Sequence, residues 1–259
     1  MGKVFAVLMN KGGVGKTSLL TNLAALLANR GERVLIVDTD GQGNASLAFG
    51  QVPNQHAYTV ADVFLGKLKL DAVTVNLADG LDLAPANDDM NMLEFQVLTK
   101  LKTYPKPFQL LAPAIREARE RYDYVLIDTP PAMGLVAGNV LAATDHLLIP
   151  FVPEVFGVQG FIRVIEAIRE FEEQQGKATQ IEGAVGMMVD QRTSLHREMM
   201  EQARDYCERN RIQFFDTLIP RSIRFASATA YARKPAVWVD KNNRLVDAYR
   251  KLLDEVIGE

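Results

Sequence analysis

The sequence predicts an α/β protein built on a doubly wound, mainly parallel sheet with helices on both faces. Three observations carry this prediction. Apolar runs at 4–9, 34–37, 125–127 and 147–149 lack polar alternation, the mark of strands covered on both faces. Segments of helical periodicity separate these runs. A glycine-rich turn joins the first run to the first helical segment. The 259 residues are 48% hydrophobic and 24% charged, enough for one large core. No repeat, low-complexity tract or linker divides them, so 1–259 reads as a single domain.

Residues 4–9 form the first strand. After it Leu19, Leu20, Leu23, Leu26 and Leu27 fall at helical spacing, and Arg30-Gly31 ends that helix. The strand at 34–37 runs into Asp38-Thr39-Asp40, followed by a small, polar segment at 41–46 that reads as a loop. Residues 51–79 carry little pattern beyond a short helix at 59–65 capped by Thr59. A strand follows at 81–84, then helices at 88–101 and 107–122. Lys100, Lys102 and Lys106 between those helices read as a solvated basic loop. The next strand, 125–128, ends in Asp128; another covers 147–150, with a helix at 158–173. Further elements are a strand at 183–189, a helix reaching 209, an extended stretch at 214–219, an irregular one at 224–233 and a last helix at 243–257.

The chemistry lies first in Asn10-Lys11-Gly12-Gly13-Val14-Gly15-Lys16-Thr17-Ser18. Strand, glycine-rich turn and helix start form a phosphate-binding loop: glycines let backbone N–H groups approach an anion, and the helix start adds its positive end. Lys16 then neutralises β- and γ-phosphates, and the Thr17 hydroxyl ligates Mg²⁺. The plain alternative is a βα turn that binds nothing. Four hydrophobic-strand positions ending in Asp128 form a Walker B pattern, which places a carboxylate where open α/β sheets bind ligands.

Asn10 stands where the common loop pattern has its first glycine, and Lys11 adds a second cation. This Lys-Gly-Gly-Val-Gly-Lys-Thr form resembles the deviant Walker A motif of the ParA/MinD ATPases, P-loop NTPase-like proteins. The resemblance runs from Lys3 to Asp240 and includes residues 34–46, similar to the family's switch I, with Gly41 where relatives carry proline. It implies ATP and Mg²⁺ as cofactors and gives roles to single residues. Lys16 acts on its own nucleotide, whereas Lys11 reaches the nucleotide of a second subunit. Asp40 orients the attacking water, Asp128 holds a metal-bound water, and Asp38 contacts the metal shell; the plain reading of Asp38 and Asp40 is a pair of loop-capping carboxylates. Gly12, Gly13, Val14, Gly15 and Ser18 complete the phosphate cradle. Asp190 and Pro220-Arg221 border the adenine, and Glu154 reaches the partner's ribose or is a surface acid. Val155-Phe156 and Gln159 depart from the two aromatics and acid that relatives carry.

Other constellations fail. His56, His146 and His196 have no ligand spacing, and a single Cys207 excludes a disulfide framework or cysteine-rich metal site. The net charge of −3 excludes a protein that is basic all over, so any nucleic-acid contact is local. Residues 190–259 carry 13 Lys+Arg against 11 Asp+Glu, whereas 1–189 carry 16 against 21. Arg224, Arg233 and Lys234 are the candidate DNA contacts in that region; a solvated charged face is the plain alternative. No apolar run reaches the ~18 residues of a membrane span. The first strand begins by about residue 3, so a cytoplasmic protein is expected, and the resemblance implies association with the nucleoid. The last helix ends in acids, which anionic lipid repels, and that disfavours stable membrane association of the MinD type. Among relatives, the ParA/Soj-type partition ATPase fits best: an ATP-dependent homodimer on non-specific DNA, with a centromere-binding (ParB-like) activating partner. A MinD-like or other cargo-positioning ATPase, and small-molecule ATP-dependent ligases, share the core.

Overall fold

The computed structural model describes residues 1–176, 178–222, 232–240 and 243–258. Seven strands form one sheet: β1 (Lys3–Val7), β2 (Val34–Asp38), β3 (Val75–Ala78), β4 (Leu81–Ala84), β5 (Tyr124–Asp128), β6 (His146–Phe151) and β7 (Gln180–Gly186). Their order is β3-β4-β2-β5-β1-β6-β7. All pairs are parallel except β3 with β4 at the edge. The first crossover leads from β1 to β2 on one side, and later ones reach β6 and β7 on the other. The sheet thus reverses direction beside β1, where such folds open a crevice.

Helices α1 (Lys16–Asn29), α2 (Asn44–Leu47), α3 (Val60–Phe64), α4 (Leu70–Val73), α5 (Met90–Leu98), α6 (Ala112–Ala118), α7 (Leu135–Ala143), α8 (Gly157–Gln175), α9 (Ser194–Arg209), α10 (Ala236–Val239) and α11 (Arg244–Ile257) complete the chain. α1 lies across β1, β2 and β5 and packs against α10 and α11, and α11 also meets β1, β5 and β6 beside it; α6, α7 and α8 form a row with α7 on β1 and α8 on β6. The inner strands are buried throughout (β2) or at every residue but the first (β1, β5 and β6), as their unbroken apolar runs require. Thr59 caps α3 reciprocally with Asp62.

Several boundaries differ from the sequence expectation. The 107–122 segment is not one helix: a 3₁₀ turn at Pro107–Gln109 precedes α6. Asn139 of α7 accepts from Leu110 N and Leu111 N and donates to the Pro107 carbonyl, so the break is pinned by a buried carboxamide. The 88–101 helix covers only Met90–Leu98. The 183–189 strand lies three residues earlier, because Met188 adopts φ 53°, which no strand continues. The 214–219 stretch makes a single isolated bridge to β7, Phe214 with Ala184, and Asp216 N and Thr217 N donate to Glu255 of α11 instead. The 41–46 loop contains α2, and α4, α7 and β3 are additional elements.

Candidate nucleotide site

The phosphate loop spans residues 8–15, from the end of β1 to the start of α1. Gly13 and Gly15 have φ of 74° and 86°, a left-handed region that glycine enters without strain. A Cβ on Gly15 would also lie 2.9 Å from Met187 Cε, the flexible end of a side chain that can shift, so the left-handed φ is what requires glycine here. Gly15 caps α1 without a side chain. The first N–H groups of α1 therefore have no capping partner and point where an anion sits.

Lys16 begins α1 and is 7% exposed. Its ammonium donates to the Lys11 carbonyl at 3.1 Å, across the mouth of the loop. Burial lowers its pKa, while Asp128 and Asp40 nearby oppose that shift. Lys11 is placed differently: it points outward and forms an ion pair with Glu154 at 2.5 Å, with 43% and 56% of the two side chains exposed. The two lysines thus diverge, one into the site and one along its rim.

Asp128 closes β5 and pairs in register with Val7 of β1 and Asp38 of β2. The three strand ends are tied together: Thr39 Oγ1 donates to the Asp128 carbonyl and Thr129 Oγ1 to the Val7 carbonyl. Thr17 Oγ1 donates to Asp128 Oδ2 at 2.6 Å. The other oxygen, Oδ1, is buried without a hydrogen-bond partner. Burial, then repulsion from Asp38, pushes the Asp128 carboxyl above its ordinary range. Asp38 is likewise pushed up by burial, against the pull of its donors. Its Oδ2 accepts from Ser46 N and Oγ, and its Oδ1 from Asp40 N. Asp40 itself accepts from Gln42 N on the switch loop. The unpartnered Asp128 oxygen and the Thr17 hydroxyl, with the Asp38 carboxylate beside them already holding its own donors, suit a small hard cation completed by phosphate and water. Among the described residues no three His, Cys, Asp or Glu side chains converge on a metal, so phosphate oxygens and waters have to supply the remaining ligands.

Beyond the loop, Met187 and Met188 lead from Gly15 to a pocket of about 400 Å³ lined by Val189, Asp190, Arg192, Leu218, Pro220 and Arg221. The sequence reading singled out Asp190, Pro220 and Arg221 here and missed Arg192. Arg192 grips both Asp190 oxygens, at 2.8 Å each, and holds that carboxyl well below the usual range. Asp190 N donates to His196 Nδ1, so Asp190, Ser194 and His196 form no relay. Ser18 Oγ meets Tyr249 OH of α11 at 3.2 Å, a partner without a sequence signal. Gly12 and Val14 lie within the loop, Val14 buried. Arg233 and Lys234 are exposed, Arg233 with φ 48°, and Arg224 lies outside the described residues.

Residues 2–182 match the family model described as AAA domain. The sporulation initiation inhibitor protein Soj of Bacillus subtilis is 32% identical over 257 residues, covering 99% of this chain and 98% of Soj. The chromosome partitioning protein ParA of Caulobacter vibrioides is 34% identical over 258 residues, covering 99% and 94%. Among solved structures, cobyrinic acid a,c-diamide synthase of Mycobacterium smegmatis with bound ADP and magnesium superposes with a TM-score of 0.83 at 27% identity, covering 98% of this chain and 93% of that one. A family model spanning more than half the chain, near end-to-end alignment with Soj and ParA, and a two-lysine phosphate loop together give one conclusion: the chain belongs to the ParA/MinD family of deviant Walker A ATPases.

Proposed function

We propose that the chain hydrolyses ATP to ADP and phosphate, closes into a homodimer on ATP, and binds DNA without sequence preference. In doing so it segregates plasmid or chromosome DNA or positions a cargo on the nucleoid. The observation that carries this reading is the division between the two lysines: Lys16 is buried in its own site, and Lys11 stands on the rim. One ammonium suffices for the nucleotide in cis. The second is free to serve a partner once Glu154 releases it. Supporting the assignment, Soj and ParA are relatives over nearly the whole chain, and the Mycobacterium smegmatis neighbour was solved with ADP and magnesium.

Within that reading, the open N–H groups of α1 and the Lys16 ammonium bind the β- and γ-phosphates. Mg²⁺, held by Thr17 Oγ1 with Asp128 behind it, neutralises phosphate charge. Asp40 on the switch loop orients a water for in-line attack on the γ-phosphorus. A new P–O bond forms, the bond to the bridging β–γ oxygen breaks, and the water proton leaves on the released phosphate. Asp190, Pro220 and Arg221 border the base, and Arg224, Arg233 and Lys234 contact DNA phosphates. A ParB-like partner accelerates turnover. α11 buries Val246, Tyr249, Leu252, Leu253 and Val256, so its apolar face is spent on the protein and does not favour a membrane-lying tail.

Retention on an unrelated DNA fragment with ATP, ADP and no nucleotide tests the reading. Binding is expected only with ATP, falling with salt at a log–log slope of roughly −0.9 per phosphate contacted. Changing Arg224 and Arg233 to Glu should abolish retention and spare ATP-dependent dimerisation. A wild-type protein that ignores DNA and sediments with anionic liposomes would overturn the partition reading in favour of a MinD-like one.

A further inference from the structure

α5 carries apolar side chains on both its buried and its exposed side, with Asn91, Glu94 and Gln96 between them. Met90, Leu93 and Val97 are buried in the core, whereas Met92, Phe95 and Leu98 are 52%, 64% and 43% exposed, and Leu101 just beyond is 50% exposed. A contiguous exposed apolar stripe marks an interaction surface. Beside the stripe lies a groove of about 370 Å³ between α5, α7 and α8, with Leu98, Phe108, Met133, Leu135 and Phe171 in its walls.

The same helix touches both loops that face the nucleotide. At its start, the Asn91 carboxamide fills the space beside Gly41 on the switch loop: a Cβ there would lie 2.5 Å from Asn91 Oδ1. One turn later, Glu94 accepts from Leu135 N at 3.2 Å, capping α7 directly after the 130–134 loop that follows Asp128. A Cβ on Gly134 would lie 2.5 Å from that carboxylate, so glycine permits the approach.

Charge at the stripe's far end identifies the kind of occupant. Lys100, Lys102 and Lys106 are exposed, and none has an ion pair among the described residues. At the near end, Asp88 and Asp89 are engaged by Asn54 and Asn87. Of the groove's acids, Glu94 is held by Leu135 N, and Glu170 accepts from Gln174. Those amide bonds leave the four carboxylates charged, so the surface is acidic at the near end and on the groove wall, and basic at the far end, where the three lysines have no carboxylate partner among the described residues.

We propose that the α5 stripe and its groove dock an acidic amphipathic helix of a second protein, and that docking alters ATP turnover through Asn91 on Gly41 and Glu94 on α7. The apolar face of that helix covers Phe95 and Leu98, one side chain enters the groove, and its acids meet Lys100, Lys102 and Lys106. This deepens the proposed ATPase function and rests on it for the turnover effect alone; the docking stands without it.

The test uses the full chain and a fluorescein-labelled synthetic peptide with leucines at i, i+3, i+4 and i+7 and glutamates elsewhere, alongside its lysine counterpart and vesicles containing phosphatidylglycerol. Anisotropy reads binding and phosphate release reads turnover. The glutamate peptide should bind, the lysine peptide should not, and saturation should change phosphate release at least twofold. Phe95→Asp, and separately Lys102→Glu with Lys106→Glu, should weaken binding at least tenfold while keeping basal phosphate release. Both changes lie on exposed positions, and unchanged melting confirms the fold. Asn91→Ala with Glu94→Ala should keep peptide binding and lose the rate response. Equal binding of the peptide by wild type and Phe95→Asp, or no binding, overturns the docking site. Vesicle sedimentation abolished by Phe95→Asp overturns it in favour of lipid. A rate response unchanged in the Asn91 and Glu94 variant overturns the relay. A wild type that binds the peptide and hydrolyses no ATP sinks the ATPase reading and leaves the docking surface standing.

Discussion

Replacing Lys11 with alanine separates the two lysines most sharply. In the single chain, Lys11 contributes one ion pair with Glu154, and both side chains are about half exposed. Such a pair is worth about 0.2–1 kcal/mol, because water screens it and two long side chains must be ordered. For a chain of this size 1 kcal/mol moves Tm by about 2–4 °C, so Lys11→Ala should melt within ~4 °C of wild type. Monomeric ATP binding should survive, since Lys16 and the helix start are untouched. The dimer is another matter. If each Lys11 makes a charged hydrogen bond to the partner's nucleotide, worth about 1.5–3 kcal/mol, a symmetric dimer loses that twice. Its dissociation constant should then rise by roughly two to four orders of magnitude. Light scattering with ATP and Mg²⁺ across a concentration series measures it, with calorimetry reading ATP binding. A Lys11→Ala dimer within about fivefold of wild type, an interval near 1 kcal/mol, would refute the cross-dimer role. Loss of ATP binding would assign the lysine to its own nucleotide instead.

Other perturbations reach other parts of the site. Thr17→Ala removes both the hydroxyl offered to the cation and the donor to Asp128, so Mg²⁺-dependent ATP affinity should fall by about 1.5–3 kcal/mol in calorimetry; an unchanged affinity would move the cation elsewhere. Asp40→Ala should bind ATP, dimerise and persist, with single-turnover hydrolysis slowed about 10²-fold or more; normal turnover would shift water orientation to another group. Cys207 is buried, and burial pushes its thiol up to about 12. The unfolded thiol ionises near 8.5, so the folded chain holds its proton longer and stability falls as pH rises between those values. Native iodoacetamide labelling at pH 8 should therefore be slow and denaturant should accelerate it, whereas fast native labelling would contradict the burial.

The fold was legible where one residue run determines one environment. The buried strands announce themselves as unbroken apolar runs because both faces are covered, and the phosphate loop because its glycines have few substitutes. Legibility fails where a distant residue decides. α7 reads Leu-Val-Ala-Gly-Asn-Val-Leu-Ala-Ala and is buried nearly all round, so it has no periodicity to find. The break before α6 is set by Asn139, some thirty residues later in sequence. β7 ends early through the left-handed Met188, a residue type that gives no warning of it. In the site, Lys16, Thr17 and Asp128 are proposed from motif spacing, and Lys11 and Asp38 from the resemblance to the ParA/MinD motif. Arg192 on Asp190, and Tyr249 on Ser18, are tertiary contacts with no local signature.

The strand ends also assign unequal duties to the two buried aspartates. Asp38 has both oxygens occupied, by Ser46 and by the Asp40 amide, and all three donors lie on the switch segment. It therefore tethers the loop that carries Asp40 to the fixed edge of β2. Asp128 is tied to Thr17 through one oxygen and leaves the other unmet. A cation arriving at Thr17 gains more from the unmet oxygen than from one that must first release its donors, because breaking those bonds in a buried site costs about 1–3 kcal/mol each. We propose for Asp38 an indirect role in place of the metal-shell contact that the resemblance implies. Asp38→Asn should leave Mg²⁺ affinity near wild type and slow hydrolysis by loosening Asp40, whereas Asp128→Asn should weaken the metal itself. Titrating Mn²⁺ by electron paramagnetic resonance in both variants separates the two duties. Equal loss of metal affinity in both would return Asp38 to the metal shell.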